Sequence, residues 1–419
     1  MSQSLVSADH SAIDRVFREE WSRVVAVMAR AFRDLDLAED AAQQAFVEAA
    51  TSWPRTGIPE SPGAWITAVA RRRAIDRIRR ESVRGDKQHQ AATISKTGGW
   101  PDFDLGGESV NDDVLRLVFT CCHPALAAPA QVALTLRLVA GVETAAIARA
   151  FLVPEATMTQ RLVRAKRKIR AAKVPFRMPE DTQLPDRLAA ALAVIFLAYN
   201  EGYIATSGDE LDRPDMCAEA VDLARLIVKL MPDEPEARGL LALMLFTTAR
   251  RPARVGEDGS LVLLADQDRS RWDVLLITEG QELVRKCLRQ DRPGQYQLHA
   301  AINAVHTDAA TFADTDWRQI LALYDQLVKI GPTPVIELNR AVAVAEVHGP
   351  EVAIDAVEHL DLNGYYLWHS VRADLFRRVG RFAEAERGYQ RAIETTENAA
   401  ERQVLRRQLA QLQTNPPGL

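Results

Sequence analysis

Apolar positions along the 419-residue chain recur at spacings of three and four, and no convincing run alternates with the two-residue period of a half-buried strand. The pattern predicts an all-α protein. Residues 10–84 read as helices broken by one Pro/Gly-rich loop over 53–63. Residues 85–110 lose the periodicity and hold five glycines, the pattern of a linker. Helical periodicity returns over 111–173. From 183 to 414 the chain is a series of Ala/Leu-rich amphipathic segments.

The last stretch repeats itself at an offset of 32 residues. Ala341 falls on Ala373, Ala353 on Ala385, Val357 on Tyr389 and Leu360 on Ala392. Small residues at such positions let the two helices of a hairpin approach closely, while larger ones fill the gap to the next hairpin. With Gly380 at its turn, 373–392 resembles a tetratricopeptide (TPR) repeat. Segments 217–246 and 320–345 share a looser helix–Pro–helix grammar around Pro232 and Pro332.

Two helices carry most of the chemistry. Residues 71–80 hold six arginines, and Arg73, Arg77, Arg80 and Arg84 follow at spacings of 4, 3 and 4, one cationic ridge, with Arg72 beside it. Asp76 lies four residues from both Arg72 and Arg80 and is expected to hold them. Trp65, Ala68, Ile75 and Ile78 are expected to face the core. A ridge of that pitch suits a phosphate backbone, whose condensed counterions are released on binding.

The second basic helix belongs to a pair. Over 144–170 two short helices flank a turn at 152–154, with Leu152 where such turns usually carry Gly and Pro154 opening the second helix. Ile147, Ala148 and Phe151 make the inner face of the first helix; Met158, Leu162, Ala165 and Ile169 make that of the second. This is helix-turn-helix grammar with the second helix as the reader. Its outward residues are Thr157, Gln160, Arg161, Arg164, Arg167 and Lys168. Gln pairs with adenine, Arg with guanine and the Thr methyl packs on thymine, while the later cations grip phosphate.

Charge sharpens this division. The net charge of −5 hides 25 Lys/Arg against 20 Asp/Glu in residues 1–175 and 27 against 37 in the remainder, so a polyanion is expected to meet only the front half. The balance of 47% hydrophobic and 26% charged residues is that of a folded soluble protein. No apolar stretch is long enough for a membrane span and the first residues lack a signal pattern, so a cytoplasmic protein without membrane contact is expected. Four cysteines at unsuitable spacings argue against a disulfide framework or a zinc ribbon. Cys121, Cys122 and His123 read as a buried pair near a helix end. His299 and His306, seven apart on one helix, read as core or surface histidines. Motifs for nucleotide hydrolysis, dinucleotide binding and common hydrolases are missing from the sequence. Neither an enzyme, a cofactor nor a metal is expected.

The two basic helices, their order and the polar linker resemble the extracytoplasmic-function class of bacterial RNA polymerase sigma factors, within the sigma-70 family. Residues 36–50 resemble the helix of region 2.2, 62–80 regions 2.3 and 2.4, and 144–170 region 4.2. The C-terminal half is similar to the long TPR-like extension of one subgroup, as are segments 200–203 (Asn-Glu-Gly-Tyr) and 266–273 (Asp-Gln-Asp-Arg-Ser-Arg-Trp-Asp).

The resemblance implies four parts: 10–84, region 2; 85–110, a flexible linker; 111–173, region 4; and 183–414, a TPR-like helical domain. It implies core RNA polymerase (β′ clamp helices and β flap) and promoter DNA as partners. Asp36, Glu39, Asp40, Gln43, Gln44 and Glu48 would dock on the polymerase, with Leu37, Ala41, Ala45 and Phe46 packing beneath. Arg72, Arg73, Asp76, Arg77, Arg80 and Arg84 would serve the −10 element, and the 53–63 loop would hold a flipped base. Trp53 and Trp65 could equally be core residues, a reading favoured for Trp65. The region 4 residues named above would read the −35 element, and the linker acids Asp102, Asp104 and Glu108 would thread the RNA channel. The repeats leave room for a protein or small-molecule partner. Segment 266–273 reads first as an ion-pair network holding repeats together, and otherwise as a solvated loop or a ligand or partner site. Two other readings compete: a one-component helix-turn-helix regulator with a helical sensor domain, and a TPR-type interaction scaffold.

Overall fold

The computed structural model describes residues 2–83, 107–151, 153–203, 214–256, 260–396 and 398–414, and their side chains apart from those of 2–12, 14, 81–83, 107–109, 214 and 215. Among these residues every regular element is helical, the only strand-type pairing being one isolated bridge between Val255 and Leu261. The protein is all-α, as its periodicity requires. It divides into two compact units, Met1–Ala198 and Tyr199–Leu419.

The first unit is built on α1 (Ser2–Phe32), against which α2 (Leu35–Thr56), α3 (Pro62–Val83) and α4 (Gly107–Cys121) pack. Trp21 lies at its centre, 2% exposed, between the rings of Phe17 and Phe46 at 5.1 and 5.7 Å. Its indole donates to the Leu138 carbonyl at 3.1 Å, tying α1 to α5 (Ala128–Leu138). Asp34 starts α2 by accepting the amides of Asp36 and Leu37, a cap worth about 1 kcal/mol. α6 (Thr144–Ala150), α7 (Glu155–Ala171) and most of α8 (Leu184–Tyr203) complete the unit.

Three expectations shift here. First, α2 continues through Trp53 and Pro54 and ends before Gly57, whose φ of 81° suits glycine, so the loop shrinks to 57–61. Second, the buried stripe of α3 is Ile66, Thr67, Val69, Ala70 and Ala74, whereas Trp65, Ile75 and Ile78 are half-buried and Ala68 is exposed. The helix is turned from the expected face because Arg73 and Arg77 reach across to carboxylates of α2. Third, α4 already begins at Gly107; Arg84, Asp102 and Asp104 lie outside the described residues, as does the side chain of Glu108.

The second unit contains α9 (Pro214–Leu230), α10 (Pro235–Ala249), the short α11 (Arg251–Arg254), α12 (Val274–Gln290), α13 (Gln295–Asp308), α14 (Trp317–Ile330), α15 (Pro334–His348), α16 (Pro350–Glu358), α17 (Tyr366–Arg378), α18 (Phe382–Thr395) and α19 (Ala399–Thr414). Helix α10 is buried almost all round, from Gly239 to Phe246, because α9, α12 and α13 all pack on it. From α14 onward each helix packs on the next. The 32-residue offset appears as hairpin α15–α16 followed by hairpin α17–α18. Ala341, Ala373, Ala353, Ala385, Val357, Tyr389 and Ala392 are all buried, and Leu360 is half-buried. In the second hairpin a Cβ at Gly388 would stand 2.9 Å from that of Ala373, so only glycine permits this approach.

Candidate nucleic-acid interface

The paired helices α6 and α7 form as expected. Ile147, Ala148, Met158, Leu162, Ala165 and Ile169 are buried and Phe151 is half-buried, so hydrophobic burial fixes which side of α7 faces out. Pro154 stands at the N-cap, one residue before the helix proper, and Leu152 lies outside the described residues. Thr157, Gln160, Arg164, Arg167 and Lys168 are exposed on the outer face. Arg161 is half-buried, its guanidinium 5.6 Å from the ring centroid of Phe151. Thr157, Gln160, Arg161, Arg164 and Lys168 line one open cavity of about 560 Å³ with Leu126, Ala127 and Ala130. The arrangement presents donors and cations together on the outer face of α7.

The arginines of α3 are brought against the acids of α2. Arg72 and Arg73 each donate to Glu48, at 2.8 and 2.5 Å, and Arg77 bonds Asp40. Glu48 is thereby held below the ordinary glutamate range, chiefly by the Arg73 hydrogen bond. Asp76 does not clamp its neighbours with its carboxylate: Arg80 donates to its backbone carbonyl at 3.2 Å, and Arg72 has gone to Glu48. Glu48 lies across the helix interface and offers both oxygens to two arginines, a geometry that a carboxylate on the same helix cannot match. Trp53 is the core tryptophan, 3% exposed, with half-buried Trp65 edge-on to it at 5.4 Å. That reverses the expected preference.

The acidic helix is not one continuous exposed face. Gln44 is exposed, and Asp36, Asp40, Gln43 and Glu48 are half-buried, but Glu39 is turned inward at 8% exposure. Its carboxylate accepts from Arg137 of α5 at 2.5 Å and from Lys166 of α7 at 2.8 Å. Lys166 also contacts Asp36 at 2.7 Å, and Arg170 reaches Asp34 and Asp36 at 2.9 and 3.0 Å. Burial opposes the charge on Asp36, yet Lys166 and then Arg170 hold its carboxyl below the usual range. Burial likewise opposes Lys166, whose ammonium Glu39 and Asp36 nonetheless hold above its ordinary value. These pairs fasten α2 to the inner edge of α7. Arg137 and Lys166 were missed as site residues, although a lone cation in the apolar run of α5 signals a buried partner.

Similarity to a known protein extends over nearly the whole chain. Uncharacterized protein R00370 of Rhizobium meliloti (strain 1021) is 42% identical, with 97% of each chain covered. The chain belongs to that protein's family. Within this family member, residues 16–84 match the model described as Sigma-70 region 2. Residues 187–288 match a family of unknown function, DUF6596. The region 2 match supports a sigma-factor-like role in transcription initiation, which in general engages core RNA polymerase and promoter DNA. Among the described residues no helix is long and apolar enough to cross a membrane.

Other groups singled out in the sequence fall elsewhere in this family member. Cys121 and Cys122 are buried free thiols, both pushed up by burial, Cys122 to about 11. His306 is buried and His299 half-buried on α13. In 266–273 two of the three aspartates serve nearby chain: Asp268 accepts from the Ser270 amide and hydroxyl, and Asp273 caps α12 through the amides of Leu275 and Leu276. Arg269 does bridge neighbouring elements, but through the carbonyls of His306 and Ala309, at 2.5 and 2.6 Å, rather than through an ion pair.

Proposed function

We propose that this protein is an alternative sigma factor of the extracytoplasmic-function class that directs core RNA polymerase to a particular set of promoters. In this reading α7 reads the −35 element as duplex through Thr157, Gln160 and Arg161, with Arg164, Arg167 and Lys168 on phosphate. Helix α3 serves the −10 element through Arg72, Arg73, Arg77, Arg80 and Arg84, Asp76 holding Arg80 through its carbonyl. The polymerase docks on Asp36, Asp40, Gln43, Gln44 and Glu48 of α2, while Glu39 anchors that helix from inside. The polymerase holds the two DNA-reading surfaces at a set separation, so the two promoter contacts act as linked sites at high effective concentration. The TPR-like second unit regulates or supports this activity in place of a separate anti-sigma protein.

The observation that carries the reading is the outer face of α7, four of whose side chains (Gln160, Arg164, Arg167 and Lys168) are exposed and point away from the internal ion pairs of the same helix. Lys166 and Arg170, on the inner edge, are the ones that pair with α2. One helix thus keeps structural and recognition cations on separate sides. Several docking and −10 side chains are satisfied by one another in the free chain, so engagement exchanges internal ion pairs for partner contacts at small net cost.

Co-purification of the full chain with core polymerase, followed by run-off transcription, tests the reading. A sigma factor binds core and starts transcripts unaided. A one-component regulator would need another sigma factor, and a scaffold would start none.

A further inference from the structure

The second unit contains a concentration of half-buried positive charge and unmatched polar atoms that the transcription reading does not use. Three arginines meet where Tyr199 and Tyr203, the turn after α10, segment 264–273 and α13 come together. Arg250 donates to Asn303 Oδ1 at 2.7 Å. Arg254 donates to the Tyr203 carbonyl at 2.7 Å and lies 4.1 Å from the centroid of that ring. Arg269 lies 4.7 Å from the ring centroid of Trp272, and the Asp273 amide bonds the Ala249 carbonyl at 3.0 Å, pinning Trp272 beside the end of α10.

Among the described residues, carboxylates are scarce around Arg250 and Arg269, while Arg254 lies within charge range of Tyr366, which bonds Glu401. The charges acting on Arg250 among the described residues are those of Tyr203, Tyr199 and Arg254, with no carboxylate. Arg269 faces Arg250 and has Asp314 as an acidic neighbour, which is itself bonded to the amide and hydroxyl of Thr311. Asp268 and Asp273 are turned to their own backbone.

The polar accounting points the same way. Ten buried side-chain nitrogen or oxygen atoms among the described residues have no hydrogen-bond partner, and five belong here: Gln267 Oε1, Arg269 Nη2, Trp272 Nε1, His306 Nδ1 and Thr315 Oγ1. Trp272, His306 and Thr315 are 5, 9 and 6% exposed. Buried polar groups are ordinarily paired, so such a concentration calls for a partner that the chain does not supply. Of the orphaned atoms, Arg269 Nη2 and Trp272 Nε1 are donors and Thr315 Oγ1 and the His306 ring can donate, whereas Gln267 Oε1 only accepts. Such donors among neighbouring guanidinium groups fit a multivalent oxyanion, which offers many lone pairs and relieves the repulsion between Arg250, Arg254 and Arg269.

We propose that Arg250, Arg254 and Arg269, with Trp272 and His306 beside them, form a receptor for the phosphate group of a small-molecule ligand. A dianion suits the site better than a carboxylate because three cations converge on it. Because burial and then Arg250 and Arg269 push His306 down to about 4, the imidazole stays neutral and adds no further charge.

Inorganic phosphate titrated into the full chain at constant ionic strength tests the proposal. The readout is the Trp272 indole N–H resonance, assigned with Trp272→Phe. The resonance is expected to shift saturably with phosphate, and Arg250→Gln and Arg269→Gln should each weaken the apparent affinity about tenfold. Arg269→Lys, which keeps the charge but loses the fork, should fall between them and the unaltered chain. No saturable shift in the unaltered chain overturns the proposal and leaves a polar cluster satisfied by water. So does a response undiminished in both glutamine variants, or acetate acting as well as phosphate. If the variants fail to fold, the titration of the unaltered chain with phosphate and acetate still decides.

Discussion

Arg137 is the one charged side chain of α5, and it bonds Glu39 while lying 5.8 Å from the ring centroid of Trp21. Its removal strands a carboxylate that only Lys166 still meets. Arg137→Met is expected to lower the unfolding free energy of the first unit by about 3 kcal/mol, the lower end for breaking a buried pair; urea unfolding followed by helix circular dichroism measures it. His306 sets a pH dependence in the second unit. In the fold it remains neutral down to about pH 4, whereas its ordinary value is 6.5, so the unfolded chain takes up the proton first. Stability from this source is full above 6.5, falls as the pH drops towards 4, and changes no further below that. The loss is of order 3 kcal/mol. Urea midpoints at about pH 7 and about pH 5 should separate for the unaltered chain and draw together in His306→Asn.

At the scale of elements, periodicity was a good guide wherever burial alone chooses a face. The inner residues of α7, Met158, Leu162, Ala165 and Ile169, were readable from spacing because a hydrophobic stripe has one way to face a core. Helix α3 was read wrongly because its arginines are not all solvated. Pairing of Arg73 and Arg77 with α2 turns the helix, and a partner more than twenty residues away leaves no mark on local spacing. Glu39 was placed with its acidic neighbours for the same reason: its inward turn depends on Arg137 and Lys166, 98 and 127 residues distant. The outer face of α7 yields a prediction of its own. Arg164→Ala should weaken duplex binding and reduce the slope of log affinity against log salt by about one if it contacts phosphate. Competition on duplex DNA across a salt series measures this, and an equally small change at every salt concentration assigns Arg164 another role.

For the whole molecule, the all-α class, the α6–α7 helix pair and the 32-residue repeat were legible because each rests on local periodicity. The division between Ala198 and Tyr199, inside a continuous helix, was not. Nor was the cluster around Arg250 and Arg269, whose members come from segments about a hundred residues apart; the segment 266–273 drew notice through its composition alone. Charge asymmetry runs the same way: the basic front half holds α7 with its exposed cations, and the acidic remainder holds the repeats. The central claim is that two cationic helical surfaces of one unit are delivered to promoter DNA by core RNA polymerase. Run-off transcription with core polymerase and the purified full chain, on promoters mapped after its overexpression, tests that claim most directly. Defined transcripts that depend on this chain and on both the −10 and −35 elements are the expected result. A chain that neither binds core polymerase nor yields a transcript without another sigma factor would contradict the account.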